Sequence, residues 1–372
     1  IFVEIHPDGP LKNNTFSVHT GFNSVWATYG DYTRFYNPSP VKSYGISHLM
    51  NENWNNIPFD SLLGSRNLNA ISINPFNPSQ VFISSFKDGI LEINEGVPTI
   101  KHDQTNSGLE SLILESNPSF IGLRLSGTTF DANGLLWSIT SLIKKPLKSY
   151  DPNSNQWVSY DFSELIPDPI LDNTGFKELV ITPSGTIFIA SFSLGIIGFD
   201  NSGSQILKNI SEEDGNLPFK SVRALALDKR NQLWVGTDEG LRVLYNTSNF
   251  FTEDRIRTEA IIILEDGIPK ELLEQQFISD IKVDGSNNKW VGTIGVGLFY
   301  FSSNGQNTIY HFTKKNSPLP SNNINDISID ANNGLVYIAT DRGLLSFNSG
   351  SSSPQENLEN TYVYPNPVRP NF

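Results

Sequence analysis

The five histidines stand at positions 6, 19, 48, 102 and 311, so no two lie closer than 13 residues. That spacing excludes the paired histidines of an H-E-x-x-H helix, and neither a G-x-S-x-G nucleophile elbow nor a phosphate-binding P-loop occurs. Cysteine is absent, which removes thiol catalysis, disulfides and thiolate metal sites. Asp151-Pro-Asn153-Ser-Asn155 alternates oxygen ligands as a calcium loop does, but its twelfth position is Phe162 where a bidentate Glu is needed, so the run reads as a turn. Glu212-Glu213-Asp214 reads as a solvated surface turn. Paired carboxylates for glycoside hydrolysis need no local motif and stay open as a chemistry. The expectation is a protein that is not an enzyme and carries no cofactor and no metal.

The elements that would position any such site follow from composition. Of 372 residues, 40 are Asn, 28 Gly and 22 Pro, about a quarter of the chain, which leaves little room for long helices and suits many short strands joined by tight turns. With 38% hydrophobic residues the chain can bury a large core. A net charge of −13 repels phosphate backbones, so nucleic acid is not expected as a partner. No run approaches the roughly 18 apolar residues that span a bilayer, and no transmembrane segment is expected. The sequence begins at Ile1 and its single Met is Met50, so it reads as a processed or excised piece.

Internal repeats decide the fold class. SVRALALDKRNQLWVGTDEGLRVL from Ser221, ISDIKVDGSNNKWVGTIGVGLFYF from Ile278 and INDISIDANNGLVYIATDRGLLSF from Ile324 share one plan. An apolar φ-x-x-φ-x-φ strand leads to a turn opened by Asp228, Asp284 or Asp330. A second strand then ends in Thr, and a Gly-Leu turn enters a third. Weaker copies start at Phe16, Leu68, Thr128 and Phe176. The residues closing the second strands are Thr28, Ser85, Thr140, Ser191, Thr237, Thr293 and Thr340, giving seven units of about 52 residues. That period fits four strands per unit, the size of one propeller blade. The expected fold is all-β, a single seven-bladed β-propeller of four-stranded blades over residues 1–350. The last unit lacks an outer strand, and Ile1–Ile5 is expected to complete it and close the ring.

Within this plan Gly89, Gly195, Gly240, Gly297 and Gly343 are expected at positive φ. Trp26, Trp137, Trp234 and Trp290 are expected between blades, while Trp54 and Trp157 fall on outer strands and are expected to be exposed. One short helix is expected at Pro269–Phe277, where PKELLEQQF puts Pro in a first turn ahead of good helix formers.

The combinations EDG-IP at Glu265–Pro269, EDG-NLP at Glu213–Pro218 and N-x-LWVGT-x-x-GL at Asn231–Leu241 resemble the two-component-regulator propeller repeats of Bacteroidetes. The third unit departs from that pattern, with SLIKKPLK at Ser141–Lys148 in place of the Gly-Leu turn. Asp60-Ser61-Leu62 resembles a Bacteroidetes O-glycosylation acceptor, a tripeptide common by chance. The S-x-D-x-G-x-x-W turns of sialidase-type propellers are absent. Residues 351–372 read as a linker and the start of a C-terminal sorting-type β-sandwich, because Tyr364-Pro365-Asn366-Pro367 resembles the opening of the sorting domain of type IX secretion cargo. Together these features resemble the propeller subunit of the type IX cell-surface attachment complex. The resemblance implies an extracytoplasmic location at the outer-membrane surface or periplasm, a sortase-like protein partner, and lipopolysaccharide or another oligosaccharide as a glycan ligand. The alternative is the oligosaccharide-sensing propeller of a hybrid two-component receptor. A secreted propeller cargo is a third reading.

In propellers the loops between second and third strands share one face around the channel mouth. Here they carry Tyr29, Asp31, Phe86, Lys87, Phe192, Asp238, Glu239, Asp341 and Arg342, with Lys144 and Lys145 in the irregular third unit. Aromatics there would stack on sugar rings, and Lys144, Lys145 and Arg342 would pair with acidic groups of a glycan or partner.

Overall fold

A computed structural model describes residues 8–203, 205–265 and 267–351. It is a seven-bladed β-propeller whose blades are antiparallel sheets built in chain order from the centre outward. The inner strands are Ser17–Gly21, Leu68–Ile73, Arg124–Phe130, Phe176–Ile181, Val222–Leu227, Ile278–Val283 and Ile324–Ile329 of blades 1 to 7. Blades 1, 2, 3, 4 and 6 have four strands. In blade 5 the outer position is reduced to a bridge between Val243 and Glu259. Blade 7 has three strands among the described residues, and the expected completion by Ile1–Ile5 lies outside them, as does the tail beyond 351.

The φ positions of each inner strand and the middle of each second strand pack blade on blade. Trp137, Trp234 and Trp290 are at most 1% exposed, and Trp26 stacks on His48 at 3.8 Å. Trp157 departs from expectation, being half-buried and stacked 4.4 Å from Tyr150, because Gly108 of the loop that leads from blade 2 into blade 3 packs onto it. Trp54 is likewise only partly exposed.

Asp228 Oδ1 accepts the backbone N–H of Arg230 at 2.9 Å, and Asp284 and Asp330 repeat the arrangement, so these aspartates are turn formers. Gly195 stands at φ 73° with the outer strand directly against it, and a Cβ there would collide with the carbonyl oxygen of Ile210. Gly343, by contrast, is not at positive φ, and only a proline ring lies near it.

The helix expected at Pro269–Phe277 is not formed. Ile268–Glu271 pairs with Ile262–Glu265 as a hairpin, and Leu273 and Gln275 take left-handed φ of 55° and 59°. Burial of Leu272 beside Trp234 and Ile261 outweighs the local helix preference. The helical turns among the described residues are Glu212–Gly215 and, in 3₁₀ form, Phe59–Ser61 instead.

Candidate functional site

The loop joining the second and third strands of blade 1, residues 29–45, is long and folds across the mouth of the channel. Tyr32 lies 4.3 Å from Phe86 of blade 2. Arg124 of blade 3 donates to the Tyr36 carbonyl at 3.2 Å, and Arg223 of blade 5 donates to the Arg34 carbonyl at 2.7 Å. The Tyr36 ring sits 5.6 Å from Phe192 and so close to Gly175 of blade 4 that a Cβ there would come within 2.8 Å of it. Arg223 is in turn gripped by Asp238 at 2.6 Å. Burial opposes its charge, yet Tyr36 and Asp238 outweigh that and hold the guanidinium above its usual range. Burial pushes the Tyr36 hydroxyl up as well. Loop 29–45 is thus fixed to four other blades and closes this mouth.

Several of the residues expected at this face hold the closure. Phe86 is fully buried against Tyr32, Asp238 is buried against Arg223, and Phe192 is half-buried beneath Tyr36. Tyr29 is also buried, its hydroxyl 2.6 Å from Ser47 Oγ, and burial raises its pKa. Asp31 pairs with Lys42, and Lys87 reaches the Ile121 carbonyl and lies 4.1 Å from the Phe120 ring. Asp341 accepts from Asn323 at 2.9 Å. Lys144, Lys145, Glu239 and Arg342 are exposed. Phe35, 62% exposed at the tip of the closing loop, is the ring this face offers to solvent. The Asp151 run is a self-satisfied turn, with Asp151 accepting from Asn153 N–H and Ser154 Oγ.

Below the closing loop the channel is lined by the x positions of the φ-x-x-φ-x-φ strands. Glu178 of blade 4 accepts the Leu225 N–H of blade 5 at 2.7 Å. Asp280 of blade 6 accepts the Ile327 N–H of blade 7 at 2.7 Å, and Asp326 of blade 7 accepts the Val18 N–H of blade 1 at 2.9 Å. Blade 5 has Ala224 at this place, and the Ile281 N–H it would have received is taken by Asp280 Oδ1 within blade 6. Lys282 also bonds Asp280, at 2.6 Å. Burial lifts the Asp280 carboxyl to about 6, against the pull of Lys282. His19 is pushed down to about 4 by burial and by the Lys282 charge, so it is neutral at pH 7.

Sequence reasoning assigned the φ-x-x-φ-x-φ strands to packing and passed over the carboxylates at their third position. The recurrence of Glu178, Asp280 and Asp326 at one place in the repeat was the available signal. The closing loop gave a weaker one, a spacing of 57 from Thr28 to Ser85 that is the longest of the six.

Residues 216–239 match the family described as two component regulator propeller. No curated protein matches the chain. Among solved structures it is similar to PorZ of Porphyromonas gingivalis, an essential bacterial surface component of the type-IX secretion system, at 24% identity and a TM-score of 0.83. That similarity covers 99% of this chain and 51% of PorZ, so the chain spans about half of PorZ's length. The extracellular domain of the hybrid two component system BT3049 of B. thetaiotaomicron aligns over 91% of the chain and 40% of its own, at 14% identity and a TM-score of 0.62. That of the one component system BT4673 aligns over 93% and 42%, again at 14% and 0.62. At these identities the likeness to the solved structures is one of fold.

Proposed function

We propose that this chain is a non-enzymatic, extracytoplasmic propeller of the type IX attachment machinery at the cell surface. It binds a protein partner of the sortase kind and an anionic lipopolysaccharide glycan. The observation that carries the reading is the agreement with PorZ over 99% of the chain at a TM-score of 0.83, against 0.62 for the regulator propellers. The contact surface in this reading is the face of loop 29–45, where Phe35 offers a ring and Lys144, Lys145 and Arg342 offer cations on an otherwise acidic protein. Tyr29, Phe86, Phe192 and Asp238 support that face from below. The match at residues 216–239 favours the second reading, an oligosaccharide-sensing receptor propeller.

Deleting the gene in its own bacterium should release type IX cargo from the cell surface into the medium. Changing Arg342, Lys144 and Lys145 together to Glu should do so in part, and should weaken binding to lipopolysaccharide from the same cells without loss of folding. Cargo that stays attached after the deletion overturns the reading. Loss of a transcriptional response to an oligosaccharide would install the second one.

A further inference from the structure

A cavity of about 540 Å³ occupies the channel, within the roughly 300–1,000 Å³ of small-molecule pockets. Its walls are unequal. The third position of the inner strand is Ala70 in blade 2 and Gly127 in blade 3, but Glu178 in blade 4 and Asp326 in blade 7, so space opens opposite an ionic wall. On that wall ammonium and carboxylate groups stand side by side in Lys177, Glu178, Lys282 and Asp326. Glu178 is held in place through Oε1 by the Leu225 N–H, which leaves Oε2 for a ligand. Lys177 forms no ion pair among the described residues. Two further polar atoms on the lining, Asn69 Oδ1 and Ser126 Oγ, have no partner although their side chains are over nine-tenths buried. At the closed end Phe16 and Tyr32 meet edge to face, their centroids 5.2 Å apart.

A wall that mixes donors and acceptors in this way suits hydroxyl groups, each of which donates one hydrogen bond and accepts others. It suits a net charge poorly, because every cation of the wall has a carboxylate near it. An aromatic end suits the apolar face of a sugar ring. The geometry points to a site in the channel for a neutral pyranose, its hydroxyls bridging Lys177 and Glu178 and its apolar side toward the end formed by Phe16 and Tyr32. Because loop 29–45 closes one mouth, the sugar enters from the face of the Asp228, Asp284 and Asp330 turns. This site is separate from the loop face and does not rest on the role proposed for it.

The test is calorimetric titration of the full 372-residue chain with glucose, galactose, mannose and N-acetylglucosamine, each as free sugar and as methyl glycoside. At least one should bind saturably. Lys177→Met and Glu178→Gln should each weaken it about tenfold or more, roughly 1.4 kcal/mol. Glu178→Gln keeps an oxygen for the Leu225 N–H and so preserves the fold. Binding of a methyl glycoside would mean that the end of a glycan chain is accepted, and binding of free sugars alone would mean a free monosaccharide. The inference is overturned if no sugar saturates up to about 50 mM, a limit near −2 kcal/mol, or if both variants, folded by their melting curves, bind as the parent does.

Discussion

The ammonium of Lys289 lies 3.0 Å from Asp228 Oδ2, with both side chains wholly buried between blades 5 and 6. Its remaining protons go to the carbonyls of Asn287 and Ser303, at 2.7 and 2.6 Å, and the Trp234 ring lies 4.5 Å away. This is the interface where Ala224 supplies no carboxylate to the next blade, so the pair takes over the polar link between the two sheets.

Lys289→Met would leave Asp228 buried without its cation, and breaking such a pair costs about 3–5 kcal/mol. The thermal midpoint followed by circular dichroism should fall clearly, and Asp228→Asn in the same chain should restore part of the loss. A midpoint unchanged in Lys289→Met would show that the charge is not held as the geometry indicates.

Two glycines at positive φ separate strain from collision. Gly185, at φ 91°, has open space where a Cβ would go, whereas Gly195 has the Ile210 carbonyl there. Gly185→Ala should cost about 1 kcal/mol, the conformational penalty alone, and Gly195→Ala distinctly more. Equal denaturation midpoints for the two variants would contradict this.

Acid should weaken the fold, with opposing contributions. His19 and His48 are held near 4 by burial, with the Lys282 charge adding to the effect at His19. The unfolded chain therefore takes up their protons first, and stability is lost as pH falls from about 6.5 to about 4. Asp280, lifted to about 6, takes its proton first in the folded state and works the other way between about 6 and 3.8. Melting curves from neutral pH to 4.5 should show a net loss, flattened by His48→Gln and steepened by Asp280→Asn. The reverse response of either variant would refute the assignment.

Arg223 reaches loop 29–45 from across the channel. Arg223→Gln should raise amide hydrogen exchange in residues 31–40 while leaving the inner strands protected. Uniform exchange across the chain, or none gained, would mean that the loop is held by other contacts.

The blade plan was legible because it repeats. Each small-Thr strand end and each Asp turn is a local solution used many times, so the register of seven sheets can be counted from Thr28 to Thr340. Pro269–Phe277 was misread because helix propensity is local, while the burial of Leu272 depends on Trp234 and Ile261, which lie outside that segment and meet it only in the fold. The candidate site was half legible. Strand spacing placed Phe86 and Asp238 on loops at one face, but the long spacing from Thr28 to Ser85 marks only an extended loop in blade 1, not that it lies over them and turns them inward. Arg124 and Arg223, which act across the ring, carry no mark in their own repeats.

Five side-chain bonds to the main chain of a neighbouring blade, all near the channel, share a direction. Asn69 donates to the Leu125 carbonyl, Ser141 Oγ accepts from Phe176, and Glu178, Asp280 and Asp326 accept from Leu225, Ile327 and Val18. In each case a side chain of one blade grips the main chain of its successor. Since a backbone amide is present whatever the residue, each blade must match only the one behind it in the order of pairing, and substitutions along one inner strand need no matching change in the next. Excising a blade, however, brings together a grip and a backbone that never faced each other. The ring therefore tolerates drift in its residues more readily than change in its number of blades.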